Sequence, residues 1–301
     1  MKSTAPEGND KTVKVPKVTV IIAVYNQERY VAQTIESALA QRYDDYAIIA
    51  VDDGSTDRSA EIIDAYAGRI RILRHEDHGN HGQAAALNLG LLHAESEYIA
   101  FLDNDDLWHP DKLRKQVEIL ERNQDVGLVY TNGQVIGPDN TTLYPLFAED
   151  HRETNRLANV LLDCYIRTPS LVMVRRSLLQ AVGPFTVGIV PDQDMWVRIK
   201  ERSDFFYLNE KLTYYRQHPE QLSITKCSKM WEDSLVVLKS AMERYPYPAW
   251  VRRKRLAVIH YRLGAFCLQA KIYHKAIWHF VRSCWYDPVR AAKCILLSRK
   301  G

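Results

Sequence analysis

Long apolar runs are missing from this sequence of 301 residues, although 46% of its residues are hydrophobic. No window approaches the roughly 18 uninterrupted apolar residues of a membrane-spanning helix. Residues 1–16 lack the apolar segment of a secretory signal peptide, so we expect them to form a flexible N-terminus. These absences favour a globular protein in the cytoplasm or on the cytoplasmic face of the membrane.

Cysteine is scarce and irregularly spaced. The five cysteines are Cys164, Cys227, Cys267, Cys284 and Cys294. Their number is odd and no Cys-x-x-Cys pair occurs, which argues against both a disulfide framework and a zinc site. We therefore expect reduced thiols.

Acidic residues are almost absent from the end of the chain. Residues 251–301 hold twelve Lys or Arg and one acid, Asp287, which gives about +11 locally. The remaining 250 residues hold 28 basic and 36 acidic side chains, or about −8. A basic tail on an acidic body suggests contact with an anionic membrane surface or a nucleic acid. The alternative is a solvated helical face.

The first hundred residues alternate between strand and helix patterns. Apolar, β-branched segments predict strands at residues 18–24, 47–51, 70–73 and 98–102. Helical periodicity follows each of the first three strands, which is typical of βαβ units around a parallel sheet. Loops after parallel strands open on one sheet edge, so five side chains should converge there: Tyr25, Asp52, Asp53, Asp103 and Asp105.

Beyond residue 126 the alternation weakens. The sequence predicts strands at 127–130 and 170–174, a turn or hairpin followed by a loop at 132–150, and a helix over 192–199 after Pro191. From about residue 222 the pattern is helical. We therefore predict an α/β domain over 17–222, with a mixed, mostly parallel, Rossmann-like sheet, and a basic C-terminal helical region over 223–301.

Three carboxylates crowd into four positions after the strand that ends at Leu102. They are Asp103, Asp105 and Asp106. Open α/β sheets bind ligands at this edge, and carboxylate oxygens suit Mg²⁺ or Mn²⁺. A metal there would meet a phosphorylated substrate. The plainer alternative is an acidic turn in which Asp105 or Asp106 caps the helix that Pro110 announces.

Three separated motifs resemble those of glycosyltransferase family 2. They are Val20-Ile-Ile-Ala-Val-Tyr-Asn26, Val51-Asp-Asp-Gly-Ser-Thr-Asp57 and Phe101-Leu-Asp-Asn-Asp-Asp-Leu-Trp-His-Pro-Asp111. The resemblance covers roughly residues 17 to 220 and is more specific than a lone Asp-x-Asp. It implies a GT-A fold, a nucleotide-sugar donor, a divalent metal and inversion at the anomeric carbon.

The resemblance also implies roles for individual residues in the donor site. Asp53 matches the residue that hydrogen-bonds uracil, and Tyr25 matches a ring that stacks on the base, although a core role is an alternative for Tyr25. Ala23 belongs to the same nucleotide-binding set. Asp105 becomes the direct metal ligand, while Asp103 reaches the metal through water or touches the ribose. His218 matches an additional metal ligand of some members, against the alternative of a structural histidine.

Inversion needs a base that takes the proton of the acceptor hydroxyl. Asp192 matches the base position, although Pro191 stands where many members have Glu. Asp194 is the competitor, but two residues along a helix it would point elsewhere.

One loop departs from the family. Residues 75–82 carry three histidines, yet Gly79 and Gly82 favour a backbone turn over a second metal site. Leu87 occupies a position where the family often has Arg, so a phosphate contact from that position is in doubt.

Together these patterns predict a metal-dependent inverting glycosyltransferase that uses Mn²⁺ or Mg²⁺ and a UDP-sugar. Its acceptor would be a hydroxyl of a cell-surface or lipid-linked glycan, and residues 251–301 could contact anionic membrane. One alternative is a nucleotidyltransferase, which the missing Gly-rich phosphate loop with Arg and Lys disfavours. Two others are a noncatalytic sugar-nucleotide-binding module and a nucleic-acid-binding protein, but an acidic crevice would repel phosphate backbones.

Overall fold

The computed structural model describes residues 14–186, 188, 190–221, 225 and 227–289. The strands are β1 (Val18–Val24), β2 (Tyr46–Asp52), β3 (Arg71–Arg74), β4 (Tyr98–Asp103), β5 (Leu107–Trp108), β6 (Val126–Ile136), β7 (Thr142–Pro145), β8 (Val172–Arg175) and β9 (Asp204–Arg216). The predictions for residues 1–13 and 290–301, and for the boundary at residue 222, lie outside the described residues.

Helices surround the strands and fill the C-terminal part. They are α1 (Val31–Leu39), α2 (Ser59–Asp64), α3 (Gln83–Leu92), α4 (Lys112–Arg122), α5 (Leu157–Leu162), α6 (Arg176–Val182), α7 (Pro191–Lys200), α8 (Cys227–Arg244), α9 (Ala249–Gln269) and α10 (Tyr273–Tyr286). A single 3₁₀ turn, Pro169–Leu171, precedes β8. In the described part of the chain, no helix is both long and apolar enough to cross a membrane.

One nine-stranded sheet has the order β3-β2-β1-β4-β8-β6-β9-β5, with β7 paired to β6. The strands β1, β2, β3 and β4 pair in parallel, and β8 runs antiparallel between β4 and β6. Because β8 is antiparallel to both β4 and β6, β6 runs in the same direction as β4, and β9 is parallel to β6. The predicted mixed, mostly parallel α/β sheet is confirmed.

The central strands are buried on both faces, as their continuous apolar composition requires. Along β1, Val20 and Ile22 belong to one hydrophobic cluster, whereas Ile21 belongs to the other. Side chains of a strand alternate between faces, so one short segment supports two cores. This explains why residues 18–24 fold as a strand.

The structure adds elements that the sequence pattern did not predict. They are β5, β9, α5 and α6, and β6 also runs on to Ile136 before the β7 hairpin. The register between β6 and β9 shifts at two places near Asn132, so the alternation of β9 is interrupted. An irregular ladder of this kind leaves no clean period in the sequence.

The helices α8 and α9 pack on the sheet domain. Leu238 of α8 and Val251 and Ile259 of α9 belong to the hydrophobic cluster that contains Trp196 of α7. Arg255, the last residue of the basic run 252–255, is buried and donates through Nη1 to the carbonyl of Leu162, 3.1 Å away. Arg255 is therefore part of the packing, whereas the other three cations of the run are exposed.

The cysteines described with their side chains are Cys164, Cys267 and Cys284, and all three are free thiols. The expectation of reduced cysteines holds for these three. The side chain of Cys227 and the whole of Cys294 lie outside the described residues.

Replacing Ile259 by alanine should lower the free energy of unfolding by about 2–5 kcal/mol, because the isoleucine is fully buried and its loss leaves a cavity. Urea denaturation would measure the change. Ile277→Ala is the matched control, since Ile277 is 63% exposed and its loss should stay within about 0.5 kcal/mol. Equal midpoints for the two variants would show that α9 lies outside the cooperative core.

Candidate active site

The register of the parallel strands brings three predicted loops together. Ala23 of β1 pairs with Val51 on one side and with Asp103 on the other, and it is partly exposed at the strand end. Tyr25, Asp53 and the acidic run after β4 therefore leave one edge of the sheet side by side. The predicted convergence is confirmed.

The loop after β1 is locked to the loop after β2. Asn26, at φ 49°, accepts the backbone N–H of Thr56 at 2.7 Å through Oδ1. Gly54 has φ 74°, and a Cβ there would lie 2.6 Å from the carbonyl carbon of Gly79, so only glycine allows the close approach. Tyr25 stays 42% exposed, which leaves its ring available at the crevice.

Asp53 holds the loop that follows β3. Its Oδ1 accepts the backbone N–H of His81 at 3.0 Å, and its Oδ2 accepts that of Gly82 at 2.8 Å. The Nε2 atom of His75 lies 3.2 Å from the same Oδ1. Each carboxylate oxygen has two lone pairs, so Oδ2 can still accept one further donor, whereas Oδ1 already has His75 beside it.

Residues 75–82 form the backbone turn that the two glycines predict. Gly82 has φ 87°, and α3 begins at the next residue. His81 pairs through Nε2 with Asp77 at 2.8 Å, which lowers the pKa of Asp77 to about 2 and raises that of His81. Leu87 is buried in the core, so this position supplies no cation to the site.

Asp103 and Asp106 share a single hydroxyl. Thr168 Oγ1 lies 2.8 Å from Asp103 Oδ2 and 3.0 Å from Asp106 Oδ2. One hydroxyl has one proton, so it can donate to only one of the two carboxylates at a time. Burial first, and then the charge of Asp105, raise the pKa of Asp103 to about 7 and that of Asp106 well above its usual range. The cluster therefore resists carrying full negative charge.

Asp105 contacts the predicted histidine. Its Oδ2 lies 3.0 Å from His218 Nε2. The other ring nitrogen of His218, Nδ1, is buried without a hydrogen-bond partner, and Tyr30 packs against the ring at 5.0 Å. The structure thus brings together Asp105 and His218, which are 113 residues apart in the chain.

Arg216 holds the acidic loop in place through hydrogen bonds. It donates its backbone N–H to Asp106 Oδ1 at 2.9 Å and its Nε to the carbonyl of Asp105 at 2.7 Å. Its buried guanidinium also donates to Asn140 Oδ1 at 2.6 Å and lies over the ring of Tyr30 at 4.5 Å. A fully buried cation therefore sits directly behind the carboxylates.

The donor set suits a hard divalent cation. Carboxylate oxygens and an imidazole bind Mn²⁺ well, and Asp105 and His218 already face each other. Among the described residues, no group of three or more His, Cys, Asp or Glu side chains is arranged to hold a metal ion. Substrate phosphate oxygens and water would therefore have to complete the shell, which is common for Mg²⁺ and similar ions.

The two carboxylates of α7 differ in their surroundings. Asp194 is buried, accepts Arg198 Nε at 2.8 Å and Thr186 Oγ1 at 3.2 Å, and lies 3.6 Å from Arg244. Asp192 lies in the first turn, near enough to Asp103 to raise the pKa of Asp103. Burial raises the pKa of Asp192 itself to about 6.

Three site residues were missed by sequence reasoning. Thr168 follows an irregular loop with no recognisable signal, and Gln83, which donates to Asp103 Oδ1 at 3.1 Å, is typical of an ordinary helix. Arg216 lies two residues before His218, and its position near that histidine could have indicated a role.

Comparisons with known proteins agree with this geometry. Residues 19–183 match the model of Glycosyl transferase family 2. An uncharacterized glycosyltransferase of Rickettsia typhi is 31% identical over 228 residues, which cover 72% of this chain and 69% of the relative. The putative teichuronic acid biosynthesis glycosyltransferase TuaG of Bacillus subtilis is 30% identical over 225 residues, covering 72% of this chain and 86% of TuaG.

Solved structures share the fold at lower identity. Residues 1–349 of S. aureus TarS in complex with UDP-GlcNAc superpose with a TM-score of 0.68 and 18% identity, covering 91% of this chain and 82% of that one. The mannosyltransferase PcManGT of Pyrobaculum calidifontis, in complex with GDP-Man and Mn²⁺, gives 0.60 and 17%, covering 96% and 81%. With its GT-A sheet and its matching family model, this chain belongs to glycosyltransferase family 2 and is a glycosyltransferase.

Proposed function

We propose that the enzyme transfers a sugar, with inversion, from a UDP-sugar to a hydroxyl of a cell-surface or lipid-linked glycan, in a metal-dependent reaction. One observation carries the proposal. Asp105 contacts His218 after the end of β4, beside the loops after β1 and β2, and Asp192 is near enough to Asp103 to raise its pKa, whereas Asp194 accepts a hydrogen bond from Arg198. Separate residues are thus available for the donor, the metal and the base.

The nucleotide would lie along Ala23, Tyr25, Asp53 and Asp103. Tyr25 offers an exposed ring on which a base can stack, and Asp53 retains lone pairs for the uracil imide. Asp103 is close enough to the crevice to contact the ribose. In support of a uridine donor, TarS has been crystallised with UDP and with UDP-GlcNAc, although PcManGT holds GDP-Man.

Asp105 and His218 would hold the Mn²⁺ or Mg²⁺, with Asp103 contributing through water. When bound, the cation supplies Lewis-acid stabilisation of the charge on the departing diphosphate. Arg216 donates to the backbone carbonyl of Asp105, and Thr168 donates to Asp103. The two carboxylates are therefore held in place and would not have to reorganise to bind the cation.

Asp192 would take the proton of the acceptor hydroxyl. A carboxylate whose pKa is about 6 remains ionised at neutral pH and is a stronger base than an ordinary aspartate. Asp194 could not do this without losing Arg198. We favour a glycan acceptor because the relative TuaG is a putative teichuronic acid biosynthesis glycosyltransferase.

Calorimetry should show tighter UDP binding with Mn²⁺ than with EDTA, and tighter binding of UDP than of GDP. Asp105→Ala should abolish the effect of Mn²⁺, because the metal loses a negatively charged ligand. Asp44→Ala, an exposed carboxylate at the start of β2, is the control that should keep it. A metal effect that survives Asp105→Ala would remove this residue from the metal site.

Asp192→Asn should lower sugar transfer by about 10²–10⁴ with UDP affinity nearly unchanged, since only the base is lost. In the wild type, kcat/KM should fall as the pH drops through about 6, because protonation removes the base. UDP release with a screened glycan acceptor would measure both. Wild-type rates in Asp192→Asn, or binding of UDP-sugars without any turnover in the wild type, would contradict the proposal.

The same substitution two residues later should act on stability instead. Asp194→Asn leaves Arg198 buried without its carboxylate, at a cost of about 3–5 kcal/mol in the free energy of unfolding. Asp192→Asn should not lower it: burial raises the folded pKa, so ionised Asp192 costs stability as the pH rises through about 6. Urea denaturation at neutral pH would compare the two variants. If Asp192→Asn were the less stable variant, the roles assigned to Asp192 and Asp194 would have to be exchanged.

A further inference from the structure

The outward face of α10 is apolar. Tyr273, Ile277, Val281 and Trp285 recur at intervals of four residues and are 59%, 63%, 62% and 78% exposed. Residues four apart lie on one side of a helix, so they form a continuous stripe about 18 Å long. Trp278, which is 50% exposed, widens the stripe along one side.

The opposite face of the same helix is anchored to the protein. Ala276 and Ser283 are buried, and Ser283 Oγ donates to the carbonyl of Ala257 in α9 at 2.8 Å. Phe280 packs so closely on Gly264 that a Cβ there would lie 2.9 Å from its ring. The rotation of α10 about its axis is therefore fixed, and the stripe faces outward because of packing.

The segment that carries this stripe is rich in cations, and its first acid is Asp287, directly after α10. Residues 249–286 contain eight Lys or Arg and no Asp or Glu. Apart from the buried Arg255, they are exposed: Arg252, Arg253, Lys254, Arg262, Lys271, Lys275 and Arg282. Arg282 lies over the ring of Trp278 at 4.9 Å, and Lys254 lies over that of Trp250 at 5.2 Å.

We propose that α10 lies flat on an anionic lipid surface, with the stripe Tyr273, Ile277, Val281 and Trp285 in the headgroup boundary. An interfacial helix of this kind combines an apolar face, tryptophans and flanking cations. Lys275 and Arg282, three residues before and four residues after Trp278, lie on the Trp278 side of the stripe, from which they would reach the lipid phosphates. The inference does not depend on the proposed reaction.

The charge and polarity of this face favour anionic lipid over a second copy of the chain or a nucleic acid. A second copy that docked through the same face would place cations opposite cations, with no acidic residue in 249–286 to compensate. A nucleic acid would satisfy the cations but would leave the Ile277 and Val281 side chains in water. Anionic lipid satisfies both parts of the surface, since its phosphates meet the cations and its acyl boundary covers the stripe.

Vesicle co-sedimentation of the full chain tests the proposal. Phosphatidylcholine vesicles should bind little protein, and replacing part of this lipid by phosphatidylglycerol should increase the bound fraction in a salt-sensitive way. Val281→Glu should lower the partition coefficient roughly tenfold, because a charge replaces an inserted apolar side chain. Val236→Glu is the matched control: Val236 is 67% exposed on α8, and its substitution should leave binding unchanged.

Two further measurements separate the remaining outcomes. Lys275→Gln with Arg282→Gln should weaken binding to the anionic vesicles, whereas Lys239→Gln on α8 should not. Sedimentation velocity without lipid should give the same species for wild type and Val281→Glu. Equal losses in Val281→Glu and Val236→Glu, equal binding to neutral and anionic vesicles, or a dimer that only Val281→Glu dissociates would overturn the proposal.

Discussion

Crowding of carboxylates at the end of β4 is the constraint on which the rest of the site depends. Asp103, Asp105 and Asp106 fall within four residues, and burial makes their joint ionisation unfavourable. Hydrogen bonds from the hydroxyl of Thr168 and from the backbone N–H and guanidinium of Arg216 stabilise this acidic loop. The proposed cation and diphosphate would lie beside these carboxylates.

The supports of this cluster come from the other half of the domain. Thr168 precedes β8 and Arg216 ends β9. These two strands, which extend the β1–β4 sheet, therefore bring both residues to Asp106. The same addition delivers His218 to Asp105. Without these strands, Asp106 would lack the hydrogen bonds from Thr168 and Arg216. This explains why β6, β8 and β9 belong to the site as much as to the core.

Helices α7 and α9 show how packing places similar side chains in different surroundings. Asp192 and Asp194 lie on one helix about 200° apart, so Asp192 lies near Asp103 whereas Asp194 contacts Arg198 and Arg244 of α8. In the C-terminal region, Arg255 packs inward against α5, whereas Arg252 and Arg253 remain exposed. The charge of a segment therefore says little about which of its members act at the surface.

The sequence by itself determined the parallel strands, the edge of the sheet at which the motifs meet, the family and the acidic loop. Each follows from local information: continuous apolar, β-branched runs, strand–helix alternation and contiguous motifs. Only the tertiary structure decided that Asp194 is occupied by Arg198, that Thr168 bridges two aspartates, that Arg216 lies beneath them and that α10 turns an apolar stripe outward. These depend on contacts between residues far apart in the chain and on helix rotation, for which a single sequence carries no local period.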